Sequence, residues 1–387
     1  MLLLTNNPLT AAVATLFRAT RLDVPELAYC NDRIAQSFLP RLPTLREGYR
    51  PPALSLGVYQ SGLASVNDPP QSATQFERQT ITLPALDRSP NKCCPASVPP
   101  GIVSIDWLNQ PSADATICLL IPGLTGSSDT AYIRRAAVEL HNAGVRVGCY
   151  NPRGRGGNAL DAPFLYSAGY TEDLRRVVRH VRDQWPSAKL TAAGYSLGAS
   201  YLAKYIGEEG SDCMLSGAAH FACPTDLLTG IRRLGSTASS RFVDKYFLVP
   251  SVQKVMKEYM PLLAGAPGLD LDGAAAATSM EGFDGCTIAP MMGCESAEQY
   301  YIEASSEELL HRARCPMLFV SAYNDPVAPA DVIKQAVFRS DAPDAPLLLA
   351  ITNEGGHSMS WPEGLTGRGR AWSASVLVEW VKACEEV

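Results

Sequence analysis

The sequence predicts an α/β fold: a mostly parallel central sheet flanked by helices, with a helical segment inserted before the last strands. Three observations carry that expectation. Short, nearly unbroken apolar runs recur at 116–121, 145–150, 189–193, 215–221, 316–322 and 347–351, and runs without polar alternation mark strands covered on both faces. Helix-length segments separate most of these runs, as 132–143, closed by Gly144, separates the first two. Residues 75–84 instead alternate along most of their length and precede a second strand, 102–107, with no helix between them. The sheet is therefore expected to start as an antiparallel hairpin.

Composition narrows the class. A chain of 387 residues accommodates one large α/β domain with insertions or two ordinary domains. With 46% hydrophobic and 19% charged residues, it reads as a packed globular protein, not a disordered one. The formal net charge is −6 and no long Lys/Arg run occurs, which argues against a nucleic-acid partner. Eleven cysteines are scattered, odd in number and without C-x-x-C spacing; Cys93 and Cys94 are adjacent, a placement that rarely bridges. Reduced thiols in the cytoplasm and no metal site are the expectation.

In chain order, the apolar run 9–17 is too short to span a bilayer, and no basic segment precedes it. A helix packed on the domain is expected there. The alternative is a peripheral membrane contact, with Arg18 and Arg21 at its end. Residues 38–52, rich in Pro and Arg, read as an extended arm, and 87–100 as a surface loop. The glycine cluster 151–158 lacks the spacing of a phosphate-binding loop and reads as structural. The helix at 170–184 is expected to turn Glu172, Asp173 and several arginines outward. From 223 to 310 no strand pattern appears, and aromatic and Met side chains accumulate. The expected division is 1–74 as N-terminal helix and arm, 75–222 and 311–387 as the two parts of the core, and 223–310 as a helical insertion.

The chemistry centres on Gly194-Tyr195-Ser196-Leu197-Gly198, a G-x-S-x-G sequence between a strand candidate and an Ala/Leu-rich helix candidate. A strand, a sharp turn and a helix make this motif a nucleophile elbow. The small flanking residues let the strained turn close, and the serine stands at a helix N-terminus that favours negative charge. An elbow serine needs an oxyanion loop before it, then an acid and a histidine after it. The run ending at 121 leads into Pro122-Gly123-Leu124-Thr125-Gly126, placing the amides of Leu124 and Leu197 as oxyanion donors. Asp325 follows the strand 316–322, and His357 follows two glycines after the last strand. Of the other histidines, His141, His180 and His311 fall in helices, and His220, at a strand end, is the weaker rival.

These four motifs, in this order, resemble one branch of the α/β-hydrolase superfamily, the YheT-like branch, also described as the ABHD one-and-three esterase group. Ser104-Ile105-Asp106-Trp107, Asn151-Pro152-Arg153-Gly154, residues 202–208 and Tyr300-Tyr301 extend the similarity, which covers roughly 38–383. Pro122 stands where the family usually has His, Ala199 where a second Gly is common, and the loop 87–100 is peculiar to this chain. The resemblance implies hydrolysis of carboxylic esters of acyl lipids or medium-chain acyl groups, and the insertion as a lid over the site. It also implies a frequently membrane-associated N-terminus.

The expected mechanism uses Ser196 as nucleophile, His357 as base and Asp325 as its orienting acid, without a cofactor. Two alternatives accompany it. One is acyl transfer on the same triad, although Pro362 stands where some acyltransferases carry the Asp of H-x4-D. The other is a non-catalytic binding protein on a hydrolase scaffold. Acyl length, head group and oligomeric state are not legible.

Overall fold

The six apolar runs form the parallel centre of a nine-stranded sheet. In chain order the strands are β1 (Glu26–Tyr29), β2 (Phe76–Leu83), β3 (Gly101–Leu108), β4 (Ile117–Ile121), β5 (Arg146–Asn151), β6 (Leu190–Tyr195), β7 (Gly217–Phe221), β8 (Met317–Ala322) and β9 (Leu347–Thr352). The computed structural model describes residues 22–30, 32–52, 74–86, 95, 97–108, 115–328, 330–337, 345–363 and 371–387. The expected helix at 9–17, the Cys93–Cys94 pair and most of the 87–100 loop lie outside them.

Spatially the strands run β1-β9-β8-β7-β6-β4-β5-β3-β2, with the middle six parallel. β2 and β3 pair as the expected antiparallel hairpin, Phe76 opposite Leu108 and Leu83 opposite Gly101. The order reverses between β4, β5 and β6, and this reversal opens a crevice at the strand carboxyl ends, where open α/β sheets place ligands.

Period-two alternation splits each central strand between two faces. Ile117, Leu119 and Ile121 of β4 pack with the helices Glu172–Gln184 and Leu197–Glu209, while Cys118 and Leu120 pack with Ala131–Asn142 and Trp372–Glu386. Burial on both faces explains why these strands read as unbroken apolar runs.

Two expectations are corrected. Residues 38–52 are not an extended arm. They form a short 3₁₀ turn at Leu39–Arg41 and a helix at Pro43–Glu47, because Leu42, Leu45 and Tyr49 bury their side chains against the C-terminal helix. Upstream, β1 adds an antiparallel edge strand to β9, and Phe38 of the helix Asp32–Phe38 stacks on Trp380 at 4.6 Å. Asp173 does not face solvent. It is buried, and Arg153 clamps it with Nε–Oδ2 and Nη2–Oδ1 contacts of 2.7 and 3.0 Å.

Residues 223–310 are helical and irregular, with no strand among them. Their two ends meet, since the Thr225 carbonyl accepts the amides of Ser306 and Glu307 at 2.9 and 3.2 Å. Their interior is a third apolar cluster, built from Met256, Phe283, Met292, Tyr300 and Tyr301 together with Phe164 and Tyr170 of the loop before the Glu172–Gln184 helix.

Candidate active site

β6 delivers Ser196 at the centre of the sheet, and the helix Leu197–Glu209 starts immediately after it. Ser196 adopts φ 51°, ψ −121°, a conformation that L-residues rarely hold. The turn closes only because its flanks are bare. A Cβ on Gly194 would lie 2.6 Å from Ala199 Cα, and one on Gly198 would lie 2.3 Å from the Pro122 carbonyl oxygen. Those contacts also place the 122–126 loop directly against the elbow. The Ser196 amide donates to the Phe221 carbonyl at 2.9 Å, tying the strained turn to β7.

Two residues distant in sequence converge on this hydroxyl. His357 Nε2 lies 2.8 Å from Ser196 Oγ, and His357 Nδ1 lies 2.9 Å from Asp325 Oδ2. A carboxylate can only accept, so the proton sits on Nδ1 and Nε2 is left to accept the serine hydroxyl proton. Asp325 is itself held, its Oδ1 accepting the amides of Val327 and Ala328 at 2.7 and 2.9 Å. Ser196, His357 and Asp325 thus form one continuous hydrogen-bonded chain.

The expected oxyanion residues flank the serine. Gly123 to Gly126 is a tight turn closed by a 3.0 Å amide-to-carbonyl bond, with Leu124 and Thr125 at its tip and Thr125 at φ 57°. The Leu124 amide is a central turn donor, and Leu197 is the first helical residue, where no intrahelical acceptor exists. Both residues line the cavity that Ser196 faces.

Several further groups support the site. Tyr132 Oη accepts the Gly123 amide at 2.9 Å and fixes the start of the turn. Asp106 accepts from Arg78, Ser128 and Asn151 at 2.6 to 2.9 Å. Burial raises the Asp106 pKa, but Arg78, Ser128 and Asn151 outweigh it and hold the carboxyl below its ordinary value. This network explains the Asp106 and Asn151 matches noted above, since it anchors the loop after the turn. On the histidine side, Asn324 Oδ1 accepts the Gly356 amide at 2.8 Å. Gly355 leaves the space that Trp361 fills, since a Cβ there would meet Trp361 Nε1 at 2.3 Å. Asn324 adjoins the acid and was legible with it; no local pattern announces Trp361.

His220 is fully buried, with Nδ1 3.1 Å from the Ala199 carbonyl and its ring stacked 4.5 Å from Phe319. Burial, opposed by the Ala199 contact, pulls its pKa down to about 3. It does not reach the serine. His141, His180 and His311 lie in helical segments, as expected.

The serine opens onto a cavity of about 150 Å³. Leu165, Leu227, Ile231, Val252, Phe283 and Ile288 are among its apolar walls. Asp284 also lines it, accepting a 2.7 Å hydrogen bond from Tyr301 Oη. Burial, aided by Asp244 and opposed by Tyr301, pushes its carboxyl up to about 7. Among the described residues no His/Cys/Asp/Glu group could hold a metal ion. No described helix is long and apolar enough to cross a membrane.

The strand order, the elbow at the sheet centre and the helical cover define the α/β-hydrolase class. Comparison narrows this further. The chain is 31% identical over 293 residues to the mouse protein named phospholipase ABHD3, covering 74% of this chain and 70% of that one. It is 28% identical to the white spruce embryogenesis-associated protein EMB8 (72% and 61% covered) and 30% to a budding-yeast monoacylglycerol lipase (68% and 58%). The chain belongs to the ABHD branch of the α/β-hydrolase superfamily. It spans about three fifths of the length of the spruce and yeast proteins. No family model matches the sequence.

Proposed function

We propose that this chain is a serine esterase that cleaves carboxylic esters of acyl lipids or medium-chain acyl groups. The single observation that carries the reading is the hydrogen-bonded chain Ser196–His357–Asp325 facing an apolar cavity. The relatives' names, a phospholipase and a monoacylglycerol lipase, point to the same chemistry.

In this reading His357 Nε2 takes the Ser196 proton as Oγ attacks the ester carbonyl. Asp325 holds the imidazole in its tautomer and stabilises the imidazolium that forms. The amides of Leu124 and Leu197 receive the oxyanion, and losing one such donor costs about 3 kcal/mol of transition-state stabilisation. His357 returns the proton to the leaving alcohol, and a water activated by the same imidazole then releases the acid. Residues 223–310 act as the lid, contributing most of the apolar wall against which the acyl chain lies.

A fluorophosphonate serine probe tests the assignment directly. The native chain should be labelled on Ser196, and Ser196→Ala should neither label nor hydrolyse p-nitrophenyl esters. Absence of labelling on native protein would favour a non-catalytic binder. Products measured with and without added alcohol separate hydrolysis from acyl transfer.

A further inference from the structure

The 227–258 region carries an aromatic cluster that the ester chemistry does not use. Phe242, Tyr246 and Phe247 are 48%, 57% and 56% exposed. They nevertheless touch one another, with the Phe242 ring 5.0 Å from Tyr246 and 5.9 Å from Phe247. The cause is local. The helix Ala238–Val243 runs into a π-helical turn, Asp244–Leu248, whose wider winding brings rings 246 and 247 beside ring 242. Large exposed rings gathered into one patch mark a surface that meets an apolar partner.

Charge says which partner. Between 227 and 258 the basic residues are Arg232, Arg233, Arg241, Lys245, Lys254 and Lys257, and the acidic ones are Asp244 and Glu258. Asp244 is turned inward, accepting the Met280 amide at 3.0 Å. Arg232 and Arg233 are paired with Glu298 and Asp331. Arg241, Lys245, Lys254 and Lys257 are exposed and make no ion pair among the described residues. Lys245 lies over the Tyr246 ring at 5.5 Å. A chain with a formal net charge of −6 therefore carries unpaired cations on the segment that bears the three exposed rings, with Arg241 and Lys245 next in sequence to Phe242 and Tyr246. Aromatic rings settle at the head-group level of a bilayer, and lysines beside them are attracted to anionic lipid. A second copy of this patch would bring like charges together, which disfavours self-association through it.

The patch is continuous with the cavity wall. Leu248, the residue after Phe247, lines the cavity together with Val252 of the helix Val249–Glu258. The same short segment thus shows rings to solvent and aliphatic side chains to the cavity that Ser196 faces. We infer that Phe242, Tyr246 and Phe247 dock this chain on an anionic lipid bilayer and set the cavity against the leaflet. Docking stands on the patch alone; its use in taking up acyl lipid rests on the esterase reading.

The test is co-sedimentation of the full chain with phosphatidylcholine vesicles, with and without phosphatidylserine. The chain should bind the serine-containing vesicles. Phe242→Ser/Tyr246→Ser/Phe247→Ser should lose at least about tenfold in partitioning, and Lys245→Glu/Lys254→Glu should lose about tenfold on anionic vesicles alone. Unchanged binding by both variants would place membrane contact elsewhere and overturn the inference. So would failure of the parent chain to bind, or a dimer in sedimentation velocity that the triple variant abolishes. Hydrolysis of water-soluble p-nitrophenyl butyrate is followed in parallel and should be equal in all three proteins. If none of them hydrolyses it while binding behaves as expected, the esterase reading fails and the docking surface stands.

Discussion

Ser196 occupies a backbone conformation that costs on the order of 1–3 kcal/mol, and its hydroxyl contributes no packing that would offset this. Ser196→Ala should therefore abolish ester hydrolysis while the melting temperature stays within a few degrees. Activity near that of the parent would remove the nucleophile assignment. The two histidines separate cleanly at this scale. His357 bridges Ser196 and Asp325, so His357→Gln should lose several orders of magnitude in kcat/KM. His220 is sealed between Ala199 and Phe319; His220→Gln should keep most activity per folded molecule and lower only thermal stability. The reverse pattern would mean that the base had been misassigned.

Among the elements, the helical segment 223–310 invites two measurements. Its apolar walls at Leu227, Ile231, Val252 and Phe283 suit unbranched acyl chains, and each buried CH₂ contributes about 0.8 kcal/mol. kcat/KM for p-nitrophenyl esters should then rise roughly three- to fourfold per methylene until the cavity fills, with its optimum above butyrate. A maximum at acetate would show that these side chains pack inward and leave only a small-ester cleft. The second measurement concerns Asp284 on the helix Met280–Cys286. Its carboxyl is raised to about 7, mainly by burial. The groups facing it are Tyr301, which donates to it, and Asp244 across the cluster. The native state holds a proton there that the unfolded chain releases near pH 4, so this group lowers stability as pH rises from about 4 through about 7. Asp284→Asn keeps an acceptor for Tyr301 and removes the titration. Its melting temperature should exceed that of the parent at pH 8, with no gain near pH 4. An equal shift at both pH values would assign the effect to packing. A carboxyl neutral at mildly acidic pH also keeps that part of the cavity wall uncharged.

For the whole molecule, the central sheet and the order of its functional groups follow from the sequence. Strands covered on both faces must be continuously apolar, which is why β4 to β9 were readable one by one, and the elbow turn needs a bare backbone at 194, where a Cβ would meet Ala199 of the helix it starts. Local chemistry of that kind is written in adjacent residues. β1 was not legible, since four residues with only Ala28 buried make no pattern. Nor was the burial of Asp173, whose partner Arg153 is 20 positions away, or the packing of Trp361 against Gly355. The sequence alone determined that β2 to β9 form, where their turns fall and which residues are candidates. Tertiary structure alone decided that Ser196 and His357, 161 positions apart, meet at 2.8 Å, that His220 is sealed away, and that Phe242, Tyr246 and Phe247 gather at the surface. The physical reason is that propensity and turn chemistry act over a few residues, whereas burial, pairing and proximity are set by strand order in the sheet.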